Sequence, residues 1–74
     1  LNIWRVRKKV FNNGTIQIVS EPVSILMWEE FPRNRSKTRE YYKQYDDYFK
    51  TELEADSYIE KTQRKYEEAG CDLS

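Results

Sequence analysis

Thr51-Glu52-Leu53-Glu54 has the form of a helix start, and no other four residues constrain this chain as tightly. A threonine hydroxyl at the N-cap accepts from the backbone N–H three residues on, and a glutamate there reaches back to the threonine N–H. Glu52, Glu54 and Asp56 place negative charge at the positive end of the helix dipole. Ala55, Ile59, Thr62, Tyr66 and Ala69 then recur at steps of four and three, on one narrow face with Tyr58 at its edge. Leu53 falls off that face and is expected to pack locally in the first turn. Gly70 stands where a left-handed C-terminal cap belongs. The spacing predicts a helix over 52–69.

Toward the N-terminus the period falls to two. Trp4, Val6 and Val10 alternate with Arg5, Arg7 and Lys9, and only Lys8 interrupts the apolar side, so 3–11 reads as a strand. Asn12-Asn13-Gly14-Thr15 follows, and Asn-Gly suits a type I′ hairpin turn. The second strand, 15–20, faces Ile16 and Ile18 one way and Thr15, Gln17 and Val19 the other. Pro22 is expected to end or interrupt it. The apolar run 23–28 is taken as a further strand, and 31–36 as a basic connecting loop. Tyr41, Tyr42, Tyr45, Tyr48 and Phe49 lie at helical spacing, although tyrosine also favours strands and Asp46-Asp47 suits a turn. A helical segment over 37–46 is expected there, then a short extended stretch into the capped helix. The sum is one α+β domain over 1–74: a small antiparallel sheet, an N-terminal hairpin plus one further strand, packed against a C-terminal helix.

The chain has 74 residues, one cysteine and no histidine. An internal disulfide, a Cys/His zinc site and a Ser-His or Cys-His nucleophilic pair are all excluded. Cys71 follows the negative end of the helix dipole among acidic neighbours, a poor setting for a thiolate. Two glycines cannot build a phosphate loop, and no Asp-x-Asp-x-Asp-Gly run offers a calcium site. Neither an enzyme nor a cofactor or metal is expected. No apolar run approaches the roughly 20 residues of a membrane helix, and no signal-peptide pattern is present. A cytoplasmic protein with no membrane partner is the expectation, in the host cell if a phage encodes it.

Formal charge sums to zero but is segregated. Residues 1–43 carry nine Lys/Arg against four Asp/Glu, and 44–74 carry four against nine. On a strand, Arg5, Arg7 and Lys9 share one face. They form either a solubilising outer face or a basic sheet face of the sort that enters a DNA groove. The run from Phe49 through Thr51, Glu54 and Ala55 to Ile59 resembles the arm-binding N-terminal domains of phage and transposon integrases. That resemblance implies a three-stranded sheet that reads DNA and a C-terminal helix that supports it, with Arg5, Arg7 and Lys9 as candidate contacts. The 22–45 region departs from it, being longer and lacking a Gly-aromatic turn. In size, Lys/Glu/Tyr richness and want of catalytic groups the chain also resembles small accessory proteins of phages and mobile elements, including anti-CRISPR inhibitors.

Tyrosine gives large contact area at low entropic cost and is enriched in interface hot spots. Tyr41, Tyr42 and Tyr45, with the carboxylates of Asp46 and Asp47, are therefore the candidate partner-binding residues. Packing of Tyr41, Tyr45 and Tyr48 into the core is the competing expectation. The first functional expectation is a non-catalytic module that binds a host protein and inhibits or modulates it, for instance a nucleic-acid-processing or CRISPR-type defence complex. The alternative is a sheet-based DNA-binding module. Homodimerisation through the apolar run 23–28 is compatible with either.

Overall fold

The computed structural model describes residues 2–24, 31–70 and 72–73. In chain order they form β1 (Asn2–Phe11), β2 (Thr15–Ser24), β3 (Arg35–Thr38), β4 (Tyr42–Phe49), α1 (Glu52–Glu68) and β5 (Asp72–Leu73). The sheet order is β3-β4-β1-β2-β5. The first four strands are antiparallel, and β5 pairs with β2 in parallel through Thr15–Asp72 and Ile16–Leu73. The expected α+β architecture is present, with a second hairpin beyond the one expected.

The β1–β2 hairpin falls where Asn-Gly places it, but its turn differs. Within the turn only Gly14 takes positive φ, at 91°, and no non-glycine residue does so among those described. The Gly14 N–H donates to the Phe11 carbonyl at 3.0 Å. Asn13 caps the residue two positions on, its Oδ1 accepting from the Thr15 N–H at 2.9 Å. This is the three-residue loop in which a left-handed glycine follows an ordinary turn, rather than the two-residue type I′.

Pro22 does not end β2. The ladder runs through it, with Trp4 opposite Pro22 and Asn2 opposite Ser24. β5 reaches only Thr15 and Ile16, so β2 is an edge strand at Pro22 among the described residues. An edge tolerates the missing N–H. The remainder of the apolar run, 25–28, lies outside the described residues, and so do Cys71 and the dimerisation expected of that run.

Residues 37–46 are not helical. They make most of a hairpin, β3 paired with β4 from Arg35–Asp46 to Thr38–Lys43. β4 in turn pairs with β1 along its length, from Trp4–Phe49 to Phe11–Tyr42. The helical spacing of the tyrosines lost to this long-range pairing, which suits tyrosine's strand preference. The two turns lie side by side at one end of the sheet. There the Asn12 N–H donates to the Tyr41 carbonyl at 2.9 Å, and the Asn12 Nδ2 to the Glu40 carbonyl at 3.1 Å.

The Thr51 N-cap and the Gly70 C-terminal cap stand where the sequence predicts. The Glu54 N–H donates to the Thr51 hydroxyl at 3.2 Å, and Gly70, at φ 77°, donates to the Glu67 carbonyl at 3.0 Å. Ala55 and Thr62 are buried, with Tyr58, Ile59 and Tyr66 half-buried. α1 lies across β1 and β4 and reaches β5 at its far end. Val6 and Ile16 are fully buried, in the layer between sheet and helix. Leu53 does not pack in the first turn; it is 76% exposed.

Candidate nucleic-acid interface

Strand alternation and the register give the sheet two unlike faces. One face meets the helix and carries Trp4, Val6, Lys8 and Val10 of β1, with Phe49, Asp47 and Tyr45 opposite them on β4. Lys8, the residue that broke the apolar pattern, lies between two rings. Its Nζ is 4.7 Å from the Tyr45 centroid and 5.2 Å from that of Tyr66. A cation against aromatic faces is attracted by their quadrupoles. Tyr58 packs its ring on Phe49 at 5.1 Å. Burial, reinforced by the hydrogen bond its hydroxyl donates to Asp47, pushes the Tyr58 phenol up to about 12.

Among the described residues no helix lies over the other face. Arg5, Arg7 and Lys9 of β1 project there, beside Glu21, Val19 and Gln17 of β2, Tyr48, Asp46 and Gln44 of β4, and Arg35 and Lys37 of β3. Among the described residues five cations share this face with two carboxylates. Two shallow hollows are cut into it, of about 250 and 210 Å³, and Arg7 lines both. Arg35, expected in a connecting loop, and Lys37, expected in a helix, instead extend the predicted Arg5-Arg7-Lys9 stripe onto β3. Their odd spacing is the signal that could have found them, given a strand there.

The cations are held differently. Arg7 is gripped by Asp46, Nε to Oδ1 at 2.9 Å and Nη2 to Oδ2 at 3.2 Å. Gln44 Nε2 donates to the same carboxylate at 3.3 Å. Burial pushes the Asp46 carboxyl up, but the hydrogen bonds and charge of Arg7 more than offset this and hold it below the ordinary value. The Asp46 hydrogen bond likewise raises Arg7. Arg5 pairs with Glu21, whose side chain is 48% exposed. Lys9 lies 5.1 Å from the Tyr42 centroid. Among the described residues no carboxylate is paired with Lys9, Arg35 or Lys37.

The candidate partner-binding residues do not form one patch. Asp46 and Asp47 are neighbours on a strand and so point to opposite faces, Asp46 to Arg7 and Asp47 to Tyr58. Tyr45 faces the helix layer, whereas Tyr42 is on the open face with its ring 5.2 Å from Phe11. Tyr41 stands at the β3–β4 turn, 68% exposed. Among the described residues no three His, Cys, Asp or Glu side chains gather as a metal group, and no helix is long and apolar enough to cross a membrane.

The fold and face together define a small α+β domain with an open, basic sheet surface. No family model, curated protein or solved structure matches the chain. What it does has to be read from its own geometry.

Proposed function

We propose that this chain is a non-catalytic DNA-binding module that grips a duplex with the open face of its sheet. The observation that carries this reading is the gathering of Arg5, Arg7, Lys9, Arg35 and Lys37 from two separate hairpins onto the sheet face that α1 leaves uncovered. β1 is flanked by β4 and β2, so the central three strands span about 10 Å. That is comparable with the roughly 12 Å width of the DNA major groove. A duplex is favoured over a single strand by where the rings sit. Stacking platforms put aromatics at the centre of the binding surface. Here the centre is Arg7, Asp46, Gln44 and Lys9, while Phe11 and Tyr42 pack on each other at one end and Tyr48 stands toward the other, opposite Arg5.

Fluorescence anisotropy of a labelled duplex tests this at roughly 50 and 200 mM salt. With Lys9, Arg35 and Lys37 as phosphate ligands, affinity falls roughly 40-fold over that range. Changing Arg35 and Lys37 together to Ala lowers the salt slope by about two. Tighter binding to single-stranded DNA or RNA than to duplex would overturn the choice of ligand.

A second reading, binding and modulation of a host protein such as a defence complex, has one observation of its own. The exposed Leu53 joins Phe49 and Tyr58 around a hollow of about 460 Å³ beside the acidic helix. Absence of nucleic-acid binding at either salt sinks the first reading and leaves this one.

A further inference from the structure

We infer that Arg7 reads a guanine edge in the bound duplex, and that Asp46 is the residue that positions it; this rests on the DNA-binding reading above. A guanidinium carries five N–H donors in a fixed plane. Asp46 takes two of them, from Nε and Nη2. The end-on pair, one N–H from Nη1 and one from Nη2, remains. Guanine presents two adjacent acceptors, O6 and N7, in the major groove, and a bidentate arginine is their usual protein partner.

Preorganisation distinguishes Arg7 from the other cations on the face. The Asp46 side chain is only 12% exposed and is itself held by Gln44, so the arginine is braced from a rigid strand. Arg7 keeps 34% of its side chain exposed and stands between the two hollows, at the centre of the open face. Arg5 is paired with a carboxylate too, but Glu21 is half exposed and gives no such brace. Lys9, Arg35 and Lys37 have no carboxylate brace among the described residues and suit phosphates, which need charge rather than a fixed fork. The face therefore divides its work: a braced arginine for the base, unbraced cations for the backbone.

The test is selection of the intact chain on duplexes with a randomised core, followed by anisotropy on the enriched duplex and on its single-base variants. The wild type is expected to select guanine at one position and to lose about tenfold in affinity when that base is replaced. Arg7→Lys should erase the guanine preference while keeping salt-dependent binding. Asp46→Asn should also flatten the preference, and Asp46→Glu should restore part of it. Gln44→Ala, a milder loosening of the brace, reads the same ratio if Asp46→Asn fails to fold. Salt-dependent binding with no base preference in the wild type would overturn the inference and leave the DNA-binding reading standing. So would a uniform gain in affinity in Asp46→Asn with the preference intact, since Asp46 would then be only a charge brake. No binding to any duplex would end both.

Discussion

At the residue scale, single side chains are spent on joining the two layers. Asp47 is the clearest case. Adjacent to Asp46 in sequence, it turns the other way and accepts from the Tyr58 hydroxyl across the sheet–helix interface. Burial and that anionic partner both disfavour the tyrosinate. A tyrosine whose folded pKa exceeds its unfolded value of about 10 stabilises the fold fully below pH 10. That contribution disappears as pH rises through about 12. Alkaline titration followed by tyrosinate absorbance should show one tyrosine ionising near pH 12, and Tyr58→Phe should remove that step. A Tyr58→Phe titration indistinguishable from the wild type would sink this account. Lys8 is spent similarly, as a cation held between Tyr45 and Tyr66 where the apolar pattern called for a hydrophobe.

At the element scale, α1 is made by local chemistry and held by modest packing. Only Ala55 and Thr62 are buried along its 17 residues. A helix with so little buried surface depends more than most on its ends. Thr51 supplies the one side-chain cap at the N-terminus, and Thr51→Ala should cost about 1 kcal/mol. Urea unfolding monitored by helical circular dichroism measures it. An unchanged midpoint would mean that docking on the sheet, and not the cap, holds the first turn. The hairpins rely on tertiary context instead. The β3–β4 turn is tied to the β1–β2 turn by the Asn12 backbone and side chain, so the two hairpins support each other's register.

At the scale of the whole molecule, the protein is a thin slab, 15 Å in its shortest dimension, one sheet and one helix deep. Its described apolar core is Ile3, Val6, Ile16 and Ala55. Chains of this size keep only about 4–11 kcal/mol of net stability. Ile16 is 1% exposed, and Ile16→Ala should remove about 2–5 kcal/mol. Denaturant melts should show the midpoint fall steeply with little change in slope; a loss under about 1 kcal/mol would mean that the layer collapses around the gap. Charge is also organised at this scale. The helix carries Glu52, Glu54, Asp56, Glu60, Glu67 and Glu68 against Lys61, Arg64 and Lys65, on the side away from the basic sheet face. A net charge of zero thus conceals a dipole across the slab, which would turn the open face toward a polyanion.

The sequence alone determined what depends on neighbours along the chain. Thr51, the three- and four-residue spacing and Gly70 located the helix, because its hydrogen bonds close over four residues. Asn13-Gly14 located the first hairpin, and the alternation of β1 put Arg5, Arg7 and Lys9 on one face. Only the tertiary structure decided what depends on a distant partner. Tyr41 to Phe49 fits a helical or an extended period by itself, and became strand because the free edge of β1 offered it a full ladder. That choice sent Asp46 to Arg7 and Asp47 to Tyr58, brought Arg35 and Lys37 beside the first arginines, and dispersed the tyrosines over two faces. Which strand neighbours which is a contest between pairings far apart in sequence, and no local spacing records its outcome.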